Sequence, residues 1–320
     1  MAELRDEVLQ NLHENDKPYF DGRDVESGLS RLRRLASLIA DGEPIRDLTV
    51  EGLKAVDEKA CATIIEALDV EAKMEGFDDL GAWAAGVFYD RPVEIITVNY
   101  DLLIERGLDG QAAPYFDGFV GTIRARFRED LVEPAEASIP PFFTRLWKLH
   151  GSLNWQYEHK NGGKYVVRLG GRADEAAAIY PTDEKYDESR RVPFVVLMDR
   201  FRRSLSETET LSFFCGYSFR DQHLNDIIYD AAARHPRNHY ACLSHDAIPD
   251  DLSVRAQKMS NITVIAKEEY ISAGLRAKYR ADEGNIPNIS DGANCLLPDF
   301  PRFAAFLRGS EALASGTDRP

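Results

Sequence analysis

RPVEIITVNYDLLIERGL, residues 91–108, decides the fold. Val93 to Val98 is a short, β-branched and almost wholly apolar run, as a strand covered on both faces of a parallel sheet requires. After Asn99 and Tyr100 the pattern switches directly to the helix-forming DLLIERGL. Similar runs recur at 211–218 (LSFFCGYS), 239–244 (HYACLS) and 262–267 (ITVIAK), separated by helical stretches such as DQHLNDIIYDAAARH. Strands alternating with helices predict a doubly wound, Rossmann-like α/β fold with a mostly parallel sheet. Such a sheet puts its site beyond the carboxyl ends of the strands.

Outward from this centre, residues 1–90 read as a helical layer or cap. Val25, Leu29, Leu32, Leu35 and Leu38 recur at three- and four-residue steps between Asp24, a candidate cap, and Gly42. Leu53, Val56, Ala60, Ile64 and Leu68 repeat the pattern, and a third helix is predicted from Asp78 to Phe88. The α/β domain is expected over 91–295. It is interrupted at 155–170 by a β-hairpin whose two alternating runs meet at Asn161-Gly162-Gly163. A C-terminal helix and frayed tail complete the chain over 296–320.

The 320 residues are 44% hydrophobic and 29% charged, enough to bury a sizeable core, and the formal net charge of −15 disfavours nucleic acid and anionic membrane. No signal peptide and no membrane-length apolar run is present, so a cytoplasmic location is expected. Cys61, Cys215, Cys242 and Cys295 form no C-x-x-C pair, which argues against a structural zinc and a disulfide framework. His235, His239 and His245 lack the carboxylate or cysteine support of a metal site, so no metal is expected.

Three strand-end motifs carry the candidate chemistry. In Thr97-Val98-Asn99-Tyr100-Asp101, the Asn and Asp side chains suit either a helix cap or a ligand, since both face one way in an extended segment. In His150-Gly151-Ser152, the imidazole suits a core histidine or a general base, and glycine permits close approach to the backbone. In Gly216-Tyr217-Ser218-Phe219-Arg220-Asp221, the residues suit an ordinary helix entry or the ribose and phosphates of a nucleotide. The aromatic APYFDGFVGTIRARF, with Tyr115, Phe116 and Phe119, reads as a loop over the pocket or local core. Its Arg124, Arg126 and Arg128 read as a solvated face.

In order and spacing, these motifs resemble the sirtuin-like (silent information regulator two) superfamily, in particular its prokaryotic NAD-consuming, anti-phage branch. TVNYD resembles the T-x-N-x-D motif at the nicotinamide-ribose end of the pocket. KLHGSLNW resembles the H-G-S segment that holds the catalytic base, and GYSFRDQHLN the second glycine–serine loop. Pro181 and Lys185 resemble a Pro-x-x-x-Lys element of the branch. The resemblance implies catalytic Asn99, His150 and Asp101. It implies NAD contacts from Thr97, Gly151, Ser152, Gly216, Tyr217, Ser218 and Asp221.

Members of the superfamily open with a strand and a Gly-Ala-Gly-rich loop under the NAD pyrophosphate. Residues 1–90 contain no G-x-G arrangement. The expectation is that this element lies upstream of Met1 or is lost, with weaker NAD binding in the latter case. The deacylases' two C-x-x-C pairs and peptide-binding segment have no counterpart in this sequence. The resemblance therefore implies NAD as substrate, no zinc, and an NAD glycohydrolase yielding nicotinamide and ADP-ribose. A homo-oligomer and an activating protein partner are implied as well. A non-catalytic NAD or ADP-ribose binding module is the alternative, and a protein deacylase a further one.

Overall fold

The computed structural model describes residues 16–17, 25–40, 49–68, 74–87, 91–132, 139–160, 163–173, 176–178, 192–245, 247–279, 285–286 and 288–314. Asp24, Gly42, Phe88, Pro181 and Lys185 lie outside them, as do the hairpin tip 161–162 and the tail 315–320.

The chain runs α1 (Val25–Ala40), α2 (Val50–Leu68), α3 (Phe77–Gly86), β1 (Glu94–Thr97), α4 (Leu103–Gly110), β2 (Tyr115–Phe116), β3 (Phe119–Val120), β4 (Arg124–Phe127) and α5 (Glu129–Val132). It continues through β5 (Thr144–Lys148), β6 (Gly151–Lys160), β7 (Gly163–Leu169), β8 (Ala176–Ala178), α6 (Phe194–Ser206), β9 (Leu211–Cys215) and α7 (Gln222–Arg234). Next come β10 (His239–Leu243), α8 (Asp250–Lys258), β11 (Ile262–Ile265), β12 (Glu269–Ser272) and β13 (Leu275–Lys278). After β14 (Asn285–Ile286) and β15 (Ser290–Asp291), α9 (Phe300–Ala314) is the last helix described.

The parallel strands fall into two sheets. One is β1-β5-β2; the other is β13-β12-β11-β10-β9, in which β9, β10 and β11 are parallel and the last two strands turn back. Tyr240, Cys242 and Val264, on the inner strands β10 and β11, are buried, whereas Leu211 and Phe213 on β9 are exposed. Helix α6 covers the core with Phe194, Leu197, Phe201 and Leu205, and α7 adds Leu224, Ile228 and Tyr229.

Helices α1 and α2 pack on each other, burying Leu32, Leu53, Val56 and Ala60; Leu38, placed on the same stripe by the periodicity, is exposed. Helix α3 packs on α4 and α9. At its crossing with α4, a Cβ on Gly81 would stand 2.0 Å from the Gly107 carbonyl oxygen, so the two backbones touch there. Phe77 meets Phe300 at 4.6 Å and Arg308 pairs with Asp79 at 2.6 Å on the α9 side.

The expected hairpin is larger than its sequence signal. β6 begins at Gly151 rather than near Trp155, and β6 and β7 form the middle of a five-stranded antiparallel sheet, β3-β4-β7-β6-β8. The aromatic stretch read as a loop supplies three of the strands: β2 joins the parallel sheet, while β3 and β4 extend the antiparallel one. Phe116 and Phe119 are core, and Arg124, Arg126 and Arg128 are exposed, Arg124 pairing with Glu158 and Arg128 with Asp130.

Aromatic packing and a second, more sheltered ion pair hold this sheet. Phe119 lies 4.8 Å from Trp155 and 5.3 Å from Phe127, and Trp155 reaches Phe194 of α6 at 6.1 Å. Asp117 stands 2.8 Å from Arg168 of β7 and accepts the Phe119 amide. Burial pushes the Asp117 carboxyl from 3.8 up to about 6, against the opposing pull of Arg168. The proton is therefore held more tightly in the folded chain. This group's contribution to stability is complete below pH 4 and is lost as the pH rises through 6. A rise of roughly two units corresponds to about 3 kcal/mol. Relative to the parent, Asp117→Asn should gain about that much stability between pH 4 and pH 7 in urea unfolding. A difference that stays flat with pH would show that Asp117 does not titrate this way.

Candidate active site

The site is assembled by β5, whose sequence TRLWK is buried throughout although it carries two cations. Each cation is satisfied, as burial of charge demands. The Arg145 guanidinium donates to the carbonyls of Ile139 and Phe143 at 2.9 and 3.1 Å. Lys148 pairs with Glu105 of α4 at 2.9 Å and also donates to the carbonyl oxygens of Tyr100 and Asp101. Lys148 thus clamps the turn that follows β1. Sequence reasoning did not single out Lys148, since a second cation, Arg145, lies in the same short strand.

That turn carries the first motif. Thr97 is in register with Lys148, and the next rung is made by the Leu149 amide on the Thr97 carbonyl at 2.9 Å. The Thr97 hydroxyl accepts the Asn99 amide at 3.0 Å, turning the chain out of the strand and leaving Asn99 exposed. Asp101 accepts the Leu103 amide through Oδ1 at 3.0 Å, so it does cap α4.

His150 follows β5 after a single residue, Leu149, and is 9% exposed. Gly151 takes φ +95°, a conformation that glycine adopts without steric cost, and reverses the chain into β6. The Ser152 side chain is fully buried, with its hydroxyl 3.4 Å from the Tyr100 carbonyl oxygen, which also accepts the Leu153 amide at 2.9 Å. The Asn99–Asp101 turn and the His150–Ser152 turn are therefore one hydrogen-bonded unit.

The third motif arrives from the other parallel sheet. Gly216, at φ +70°, ends β9 facing open space, and Ser218 is exposed. Phe219 is also left-handed, at φ +54°. It is held there by Asn225, whose side-chain amide donates to the Phe219 carbonyl at 2.8 Å and whose Oδ1 accepts the Tyr217 hydroxyl at 2.8 Å. Burial, reinforced by the Asp221 charge, raises the Tyr217 phenol, so it stays protonated and donates. Asp221 caps α7, its Oδ1 accepting the amides of His223 and Leu224. Its other oxygen lies 3.9 Å from His150 Nε2. The third motif thus meets the second at His150, and the first joins the second through the Tyr100 carbonyl.

Among the described residues no helix is long and apolar enough to cross a membrane, and no group of three or more His, Cys, Asp or Glu is arranged to hold a metal ion. His239 is bound through Nε2 to the Thr263 hydroxyl at 3.0 Å.

His150 thus lies just past the carboxyl end of a parallel strand in an α/β, Rossmann-like fold, where that architecture puts its site. The chain belongs to the SIR2-like family: a family model described as SIR2-like domain matches residues 93–265, more than half of the 320 residues. SIR2-like domains bind NAD, so the chain is a sirtuin-like NAD-binding protein. No curated protein shows significant similarity to it.

Proposed function

We propose that this chain cleaves the bond between nicotinamide and ribose in NAD, with water as acceptor. One arrangement carries the reading: in a SIR2-like domain, buried His150 stands 3.9 Å from Asp221 of the Gly216–Asp221 turn, and its own turn is hydrogen-bonded to the Asn99–Asp101 turn. As the glycosidic bond breaks, its electron pair passes to the nicotinamide ring nitrogen and neutralises the pyridinium. The ribose carbon gains oxocarbenium character, as in other glycoside cleavages. Water bonds to that carbon, and its proton passes to His150 and then to solvent.

The other residues position the reactants. Asn99, exposed on its turn, holds the attacking water or a ribose hydroxyl in line. Asp101 orients Asn99 or binds the nicotinamide carboxamide. Gly216 and Ser218 take the ribose and phosphates on the adenosine side, in a pocket that Thr97, Gly151, Ser152, Tyr217 and Asp221 help to form. Residues 91–295 act as the NAD-handling domain, with 1–90 as a helical cap and 296–320 as a C-terminal extension.

An NAD-depleting enzyme needs an off state. The resemblance to the anti-phage branch supplies one: activity that depends on assembly of several copies and on an activating protein partner. The test is chromatography of NAD incubated with the purified chain, alone and concentrated. Equimolar nicotinamide and ADP-ribose, or its cyclised form, are expected. Calorimetric binding of NAD without turnover would make the chain a binding module. Deacetylation of an acetyl-lysine peptide would make it a deacylase.

A further inference from the structure

We propose that Asp221 is a positioning residue for His150, forming with it a carboxylate–imidazole pair across the two parallel sheets. The inference rests on the proposed NAD cleavage for its catalytic consequence, but the pairing stands on geometry alone. The carboxylate has two separate tasks. Its Oδ1 is committed to the amides of His223 and Leu224 at the start of α7. Its Oδ2 is turned back toward His150 Nε2 at 3.9 Å. Both side chains are sheltered, with 11% and 18% exposure, so little water screens the attraction.

The helix cap fixes the carboxylate, and a fixed carboxylate fixes the ring. Other hydrogen bonds anchor the turn beside it: Asn225 holds the Phe219 carbonyl and the Tyr217 hydroxyl, and that hydroxyl also lies 3.2 Å from the Asp221 carbonyl. When the imidazole takes a proton from the attacking water, the carboxylate stabilises the imidazolium that results. At 3.9 Å the pair is wider than a hydrogen bond, as acid–base partners often are before substrate draws the site together.

The charged and titratable groups in and beside these turns include Tyr100, Asp101, Arg145, Lys148 with its partner Glu105, Tyr217, Arg220, Asp221, His223 and Asp226. Of these, Asp221 lies within ion-pairing range of the ring.

The deciding variant is Asp221→Asn. Asparagine caps a helix as well as aspartate does, so α7 and its melting temperature should be unchanged. The charge opposite His150 is lost. The kcat for NAD should fall 10- to 100-fold, with KM within twofold of the parent. In NMR titrations the His150 pKa should drop by about one unit or more, because an opposite charge at this range favours the protonated ring. Three results would overturn the proposal. An unchanged kcat makes Asp221 a helix cap alone, and a raised KM with parental kcat makes it an NAD contact. An unchanged His150 titration shows that the pair does not exist. The titration needs no turnover: if the parent itself fails to cleave NAD, the reaction assigned above is wrong, and the His150 shift still decides the pairing.

Discussion

Replacing His150 by alanine is expected to slow NAD cleavage by ~10²–10⁴-fold, the range that a positioned general base contributes. The residue is 9% exposed and follows Leu149, whose amide extends the β1–β5 ladder, so its position is set by that ladder rather than by a mobile loop. Thr97 and Leu149 make the last rung, and Lys148 ties the opposite turn down. Truncating the imidazole leaves these bonds in place, and the variant should melt close to the parental temperature. Asn99→Ala provides the companion measurement. Asn99 is exposed, and its turn is held by its backbone amide on the Thr97 hydroxyl. Loss of rate in that variant therefore reports on reactant positioning and not on folding. Should both folded variants release nicotinamide at the parental rate, the assigned roles are wrong.

Replacing Arg200 by methionine is expected to cost about 3–5 kcal/mol, the usual penalty for removing one partner of a buried ion pair. Arg200 of α6 is 4% exposed and grips Glu94, the first residue of β1, through both Nε and Nη2. Trp147 of β5 donates to the same carboxylate at 2.6 Å, and Glu207 completes the cluster at 2.8 Å from Arg200. The cluster pins one sheet to the helix that covers the core. With methionine in place, Glu94 keeps the indole donor but loses its guanidinium partner, for a charge that is 12% exposed. Glu207, at 41% exposure, turns to water instead. The double variant Glu94→Gln/Arg200→Met removes the stranded charge and keeps an oxygen for Trp147, so it should recover more than half of the loss. Urea unfolding followed by tryptophan fluorescence measures both. A single-variant cost below about 1 kcal/mol would place the cluster among the weak surface-type pairs.

The parallel strands were legible because they are short and rich in β-branched residues, as in Ile95-Ile96 and in Ile262 to Ile265, although the expected cover on both faces is partial: β1 is half-buried along its length and burial alternates along β11. Their edges were read one to three residues too long: the 211–218 run is a strand only as far as Cys215, since Gly216 and Phe219 adopt left-handed backbone. Strands β2, β3 and β4 were not legible as strands. They are two to four residues long and broken by Gly118 and Gly121, too short for alternation to register. Within the site, the motif residues could be nominated from strand-end context. The meeting of His150 with Asp221 could not. They are 71 positions apart, in turns that follow strands of different sheets, and only the tertiary arrangement sets one beside the other. The clamp of Lys148 on Glu105 was hidden for the same reason, since a lysine in a short basic-apolar strand gives no sign of which helix will neutralise it.

The placement of Cys242 has a kinetic consequence. It lies at 1% exposure in β10, opposite Phe214 of β9 on one side and Val264 of β11 on the other. Burial raises its thiol well above the ordinary range, so the reactive thiolate is suppressed while the strands stay paired. An alkylating reagent reaches this sulfur only during the intervals when β10 parts from its neighbours. The rate at which the Cys242 peptide gains mass is therefore a clock for the opening of the sheet, already built into the native chain.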